Sequence, residues 1–250
     1  MSPGEKDNSN ELGAFHERAV AKGVNPLLYR VVRFFFLPFF LVYFRLKRVG
    51  IDHVPDEGPL LIASNHRSFL DPFVIGSMTK RPIYYMAKRE LFSKPVQAFL
   101  LNSLGAFPVD RGASDLDAMA TARTILDRGD CVVIFPEGTR IRRGPLAAPR
   151  RGIGRLALES GAPVVPLAVM GSEHVRRGWR IRPRKVKLRA GRALRFPSVQ
   201  NCSPQLAGEV TERIWDNVSL QWEALGGERP PLEPPVDPDT EPLRTGSHAA

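Results

Sequence analysis

Cysteine is nearly missing from this chain. Only two occur in 250 residues, Cys131 in an apolar run and Cys202 beside a helix start, so neither a disulfide framework nor a thiolate metal cluster is indicated, and a reducing compartment fits. Histidine is scarce as well. The five sit at positions 16, 53, 66, 174 and 248, which makes no zinc spacing, and no metal is expected. Ser68 lacks the GxSxG elbow of a hydrolase, so nothing marks it as a nucleophile. Residues 152–157 fit GxGxxA, but Pro149-Arg150-Arg151 stands before them where a strand should be, which argues against dinucleotide binding. The first 23 residues are polar and lack the basic-then-apolar layout of a secretory signal.

A long uncharged apolar run is missing too. Phe34 to Phe44 is uncharged for eleven residues and holds six of the 14 phenylalanines: Phe34, Phe35, Phe36, Phe39, Phe40 and Phe44. As a helix this run spans about 17 Å, against a bilayer hydrocarbon core of about 30 Å. Extending it to Leu27 takes in Arg30 and Arg33, each costing roughly 2.5–3.5 kcal/mol at a bilayer centre, and Pro38 would kink it. Arg30, Arg33, Arg45, Lys47 and Arg48 flank the block, as they would in an interfacial anchor. The six phenylalanines are therefore expected to contact a membrane surface. The rival reading is a helix packed into the protein's own core.

Acid is in short supply. Lys plus Arg number 36 against 26 Asp plus Glu, for a net charge of +10, which suits an anionic partner. Residues 176–195 carry ten Lys or Arg and no acid. They are expected on the same side as the aromatic block, facing anionic lipid. A solvated basic hairpin is the bland alternative, and nucleic acid the rival partner. Residues 228–250 hold six prolines and a net acidic charge, the composition of a disordered tail.

Between these ends, strands and helices alternate. Strand-like runs cover Leu60–Ala63, Ile83–Ala87, Ala106–Val109, Cys131–Phe135, Val164–Met170 and Val186–Arg189, and helix-like runs cover 72–78, 94–104, 115–127 and 152–160. The pattern predicts an α/β single domain with a mostly parallel central sheet flanked by helices, preceded by an N-terminal aromatic membrane-interface helical segment. A final helix from Pro204 places Val210, Ile214, Val218 and Trp222 on one face.

Chemistry concentrates where the run Leu60–Ala63 breaks into Ser64-Asn65-His66-Arg67-Ser68-Phe69-Leu70-Asp71-Pro72. His66 and Asp71, five apart, face different ways on a helix and can meet only across a turn. A carboxylate on one imidazole nitrogen would fix the tautomer and let the other nitrogen take a proton from a hydroxyl. The competing reading is a helix-capping Asp71 beside a satisfied turn histidine. Phe135-Pro136-Glu137-Gly138-Thr139-Arg140 also follows an apolar strand. Arg140 offers a planar fork for a phosphate, Gly138 lets N–H groups approach, and Glu137 could bond an acceptor hydroxyl or fix Arg140. Taken alone, it could equally be a strand-ending turn with a salt-bridged arginine.

Residues 65–71 resemble the NHxSxxD block of the glycerolipid acyltransferases, the family of 1-acyl-glycerol-3-phosphate acyltransferases. Gly105-Ala106-Phe107-Pro108-Val109-Asp110-Arg111, residues 135–140 and Val164-Val165-Pro166-Leu167-Ala168-Val169 are similar to its other three blocks, in the same order. The resemblance implies His66 and Asp71 as the catalytic pair and Arg111 with Arg140, Glu137, Gly138 and Thr139 at the substrate phosphate. It also implies a strand near the acyl-donor pocket at Pro166, a position that by itself reads equally well as an edge strand. Many members carry a lysine after the third block; here Arg150 stands near that place, and arginine does not replace lysine freely at tight sites.

The expected organisation is a polar tail (1–23), an interfacial aromatic helical segment (24–49), a catalytic domain (50–226) and a disordered tail (227–250). The expected activity is transfer of an acyl group from acyl-CoA or acyl carrier protein, without cofactor, to a lysophospholipid. The acceptor that the resemblance implies is 1-acyl-glycerol-3-phosphate, with phosphatidic acid for phospholipid synthesis as the expected product. The enzyme would be membrane-associated and monotopic, on the cytoplasmic face, with no nucleic acid bound. The rivals are a basic binding protein without catalysis and a remodelling acyltransferase for another lysolipid.

Overall fold

The computed structural model describes residues 13–109 and 116–228. Arg111, residues 1–12 of the polar tail and residues 229–250 of the proline-rich tail lie outside them. After helical turns over 13–21, the chain runs through α1 (Pro26–Tyr43), β1 (Lys47–Val49), β2 (Leu60–Ser64), α2 (Asp71–Ile75), β3 (Ile83–Lys88), α3 (Pro95–Ser103) and β4 (Ala106–Val109). It continues through α4 (Leu116–Asp127), β5 (Cys131–Ile134), α5 (Gly152–Ser160), β6 (Val164–Met170), the short strands β7 (Arg176–Arg177) and β8 (Arg180–Ile181), β9 (Lys187–Ala190) and α6 (Pro204–Ala224).

Seven strands form one sheet in the order β1-β9-β6-β2-β5-β3-β4, and β7 and β8 form a separate hairpin. Every pairing in the large sheet is parallel except β6 with β9. The central strands are apolar on both faces because helices cover both. Along β2, Leu61 and Ala63 pack with Ile125 of α4, Leu156 of α5 and Ile214 of α6. Leu60 and Ile62 pack on the opposite side with Val74, Ala98 and Phe40. Ser203 caps α6 by accepting the Leu206 N–H at 3.2 Å, Pro204 opens it, and Val210, Ile214, Val218 and Trp222 are buried as the spacing requires. Gly154 belongs to this packing. A Cβ there would come within 2.1 Å of the Ala207 carbonyl, so the GxGxxA run serves a close helix crossing.

Three sequence expectations change. The stretch read as one helical segment over 24–49 divides: α1 stops at Tyr43, and Lys47–Val49 joins the sheet beside β9. Pro166 is not on an edge, since β6 lies between β9 and β2. Its carbonyl accepts the Gly191 N–H at 2.8 Å just past the end of β9, so its ring faces a gap in that ladder where no donor is needed. Within the aromatic block, Phe40 and Phe44 are 3% and 1% exposed and belong to the core, whereas Phe34 and Phe35 are 73% and 66% exposed.

The two faces of α1 explain that split. Tyr29 donates to the Arg81 carbonyl (3.4 Å), Arg33 donates to the Gly76 carbonyl (2.7 Å), and Phe40 and Phe44 fill the core. These positions form one helical stripe, so the helix touches the domain at separate points along one face, with Phe40 its buried residue. Leu27, Phe34, Phe35 and Val42 point away from it.

Candidate active site

Because β2, β5 and β6 run parallel and adjacent, their C-terminal ends deliver three loops to one edge of the sheet. His66 follows β2, Glu137 follows β5 and Ser172 follows β6. The bend Asn65–Leu70 brings His66 back to the start of α2, and its Nδ1 lies 2.8 Å from Asp71 Oδ2, with both side chains buried. The same Oδ2 accepts the N–H groups of Arg67 (2.6 Å) and Ser68 (2.7 Å). Oδ1 accepts the Ser172 hydroxyl at 2.6 Å. An ionised carboxylate accepts only, so Nδ1 donates and Nε2 carries the basic lone pair. The ring stacks on Phe135, with centroids 4.1 Å apart and planes at 20°.

The FPEGTR loop supports this bend from beneath. Glu137 is 4% exposed; its Oε2 accepts the His66 N–H at 2.6 Å and its Oε1 the Ala147 N–H at 3.1 Å. Burial pushes its carboxyl up to about 7, against the pull of those two N–H groups and of the Arg67 guanidinium. The described bonds of both oxygens go to backbone N–H groups and not to Arg140, so Glu137 holds the backbone of His66. The N–H of Gly138 is used on the Phe135 carbonyl (2.9 Å). The residue is glycine because φ is +68° and because a Cβ would meet Arg150 Nε at 2.5 Å. Arg150 thus packs directly on the loop, its own N–H bonded to the Pro136 carbonyl at 2.8 Å.

Arg140 and Thr139 are exposed at the loop's tip. Arg140 lines a hollow of about 280 Å³ with Ser68, Phe69, Arg142, Glu173 and Arg176, and its floor is Arg67. Arg67 is 2% exposed and donates to the carbonyls of Ile141 (2.8 Å) and Gly144 (2.9 Å), its guanidinium stacked 4.3 Å over Trp222 of α6. The hollow and the His66 bend share residues 67–69. Pro166 is buried within the sheet and takes no part in this lining. Below the other end of α2, Phe36 and Phe40 with Phe73 and Tyr85 line an apolar crevice under α1.

Residues 45–170 match the model of the family described as Acyltransferase. The chain belongs to the acyltransferase family. Its match to the 1-acyl-sn-glycerol-3-phosphate acyltransferase of Bacillus subtilis is 34% identical over 128 residues, half of this chain and 63% of that protein. The chloroplastic enzyme of the same description from Arabidopsis thaliana is 29% identical over 133 residues, 52% of this chain and 37% of that protein. The chain therefore spans less than two thirds of these curated relatives. The crystal structure of the 1-acyl-sn-glycerophosphate acyltransferase of Thermotoga maritima shares the fold, with a TM-score of 0.59 over 92% of this chain and 86% of that one, at 21% identity.

Three residues of the site have roles that the sequence alone does not assign. Ser172 reaches Asp71 from 101 positions away, marked only by a polar residue after a strand. Asn65 acts as a piece of backbone, donating to the Val169 carbonyl (3.0 Å) and accepting its N–H (2.8 Å), which staples the bend to β6. Arg67, between two motif positions, fastens the bend to the FPEGTR loop.

Proposed function

We propose that this acyltransferase moves a fatty acyl group from an acyl thioester to the free hydroxyl of 1-acyl-glycerol-3-phosphate, giving phosphatidic acid, at a membrane surface on its cytoplasmic side. What carries the reading is the buried His66–Asp71 pair on a bend whose next residues, 67–69, line an arginine-rich hollow. His66 Nε2 takes the hydroxyl proton as the oxygen attacks the thioester carbonyl carbon. The C–O bond forms, the C–S bond breaks, and the imidazolium returns its proton to the departing thiolate. Asp71 keeps the ring in the productive tautomer and offsets the transient positive charge. No covalent enzyme intermediate is needed, because both substrates are held together.

Arg140, joined by Arg111 as the family resemblance implies, holds the acceptor's phosphate, with Arg142 and Arg176 adding charge around it. The donor is acyl-CoA or acyl carrier protein. The exposed apolar face of α1 suits the interfacial region of a bilayer. The helix is long and apolar enough to cross a bilayer, but its contacts with the domain through Tyr29, Arg33 and Phe40 favour a place beside the domain at the interface. A protein that only bound membranes would have no use for a buried, fully oriented imidazole.

The test is transfer of a labelled acyl group from acyl-CoA, and separately from acyl carrier protein, to a panel of lysolipids. Wild-type protein should prefer the phosphate-monoester acceptor, and His66→Ala should lose roughly 10²–10⁴-fold of the rate. Full activity in His66→Ala would sink the mechanism, and indifference to the acceptor's phosphate would sink the role of the hollow.

A further inference from the structure

The β7–β8 hairpin lies outside the stretch that matches the family, and its tip is unusual. Trp179 is 83% exposed, whereas the other two tryptophans, Trp215 and Trp222, are 5% and 6% exposed. Ile181 beside it is 48% exposed. An indole held out in water forfeits the burial that makes tryptophan useful, and its amphipathic ring suits a boundary between apolar and polar phases. Around it stand Arg176, Arg177 and Arg180, all exposed, with the Arg180 guanidinium 5.1 Å over the Trp179 ring.

The hairpin is anchored in two places that matter. The Tyr43 hydroxyl, at the end of α1, donates to the Ile181 carbonyl at 3.0 Å. Arg176 lies 5.6 Å over the ring of Phe69, on the rim of the arginine-lined hollow. The hairpin therefore continues the exposed apolar face of α1 round to the mouth of the site. A tip that combines a projecting indole, a neighbouring aliphatic residue and a ring of arginines without an acid matches an anionic lipid surface in both polarity and charge.

We propose that the Arg176–Ile181 hairpin is a second lipid contact, with Trp179 seated among the headgroups of an anionic bilayer and Arg177 and Arg180 on lipid phosphates. With α1 it holds the mouth of the site at headgroup depth. This rests on the membrane-surface reading above and assigns it a second point of contact.

Because Trp179 is the exposed tryptophan, its fluorescence reports on the hairpin directly. The full chain is mixed with phosphatidylcholine vesicles, with and without about a third phosphatidylglycerol, carrying brominated acyl chains, and followed by flotation and emission. Emission should shift to the blue and be quenched on anionic vesicles, and Trp179→Phe should still float but lose the change. Replacing Arg177 and Arg180 together by glutamine should weaken binding to anionic vesicles roughly twenty-five-fold, at about fivefold per charge, and leave neutral vesicles unaffected. Flotation with unchanged emission would overturn the hairpin contact while leaving α1 as the anchor. Failure to float at all would remove both. A shift produced by an acidic acyl carrier protein and not by vesicles would give the hairpin to the donor instead.

Discussion

The bend at His66 and the surface formed by α1 and the hairpin are opposite solutions to holding a functional group. Around the bend nearly every polar atom is occupied: Asp71 collects two backbone N–H groups, an imidazole and a hydroxyl, and Glu137 collects two more N–H groups. Such density around a buried ring holds an imidazole in one orientation, which proton transfer requires. Along α1 and the hairpin, large apolar side chains and arginines face outward, with few partners in the protein. A fluid partner asks for composition and placement, not for exact angles. The difference teaches that the first region should fail by geometry and the second by loss of area and charge.

The largest effect should come from Asp71→Asn. Its amide can still accept the N–H groups of Arg67 and Ser68 through one oxygen and turn its NH₂ toward Ser172, so the bend survives. The negative charge behind the imidazole is gone, and the acyl-transfer rate should fall about 10²–10⁴-fold with an unchanged circular dichroism spectrum. A wild-type rate would show that the dense region matters for folding alone. Next comes Phe40→Ala, on the inward face of α1, which should lower unfolding free energy by about 3–5 kcal/mol in chemical denaturation. A loss under 1 kcal/mol would mean that α1 is not fastened where Phe40 sits.

How much of this could be read beforehand follows from the same contrast. The buried strands declare themselves because burial on both faces leaves long apolar runs such as Leu60–Ala63 and Val164–Val169. Strand β1 does not, because Lys47-Arg48-Val49 sits at a charged edge and gains its strand character from β9. The direction of β9 was equally invisible. His66 and Asp71 were legible because both lie in one turn, whereas Ser172 reaches Asp71 only once β6 is laid beside β2. Glu137 was found by its motif, yet its two N–H partners depend on where the bend at His66 falls. In the aromatic block, composition could not separate Phe40 and Phe44 from Phe34; the spacing of Tyr29, Arg33, Phe40 and Phe44 could have done so.

A smaller effect tests the dense region by pH. The Glu137 carboxyl sits near 7 in the fold, against an ordinary value of 4.5, chiefly through burial. Between those values the folded protein keeps a proton that the unfolded chain has released. Stability from this group is thus full below about pH 4.5, declines as pH rises toward 7, and is level above it, by at most about 3 kcal/mol. Glu137→Gln, which cannot titrate, should flatten that part of the stability profile in urea melts between pH 4.5 and 7.5. An unchanged slope would assign the pH dependence elsewhere.

The smallest effect on stability should be Phe34→Ser, six positions from Phe40 on the same helix. Phe34 is 73% exposed and its ring contact is with Phe35, itself on the outer face. Unfolding free energy should therefore move by no more than about 0.5 kcal/mol. Vesicle binding should weaken severalfold, since a buried phenylalanine side chain is worth roughly 1.5–3 kcal/mol when fully taken out of water and an interface recovers part of that. Two phenylalanines on one helix would then trade places, one costing stability and sparing membrane binding, the other the reverse. If Phe34→Ser destabilised the fold as Phe40→Ala does, the outer face of α1 would be covered by protein, and its lipid role would be lost.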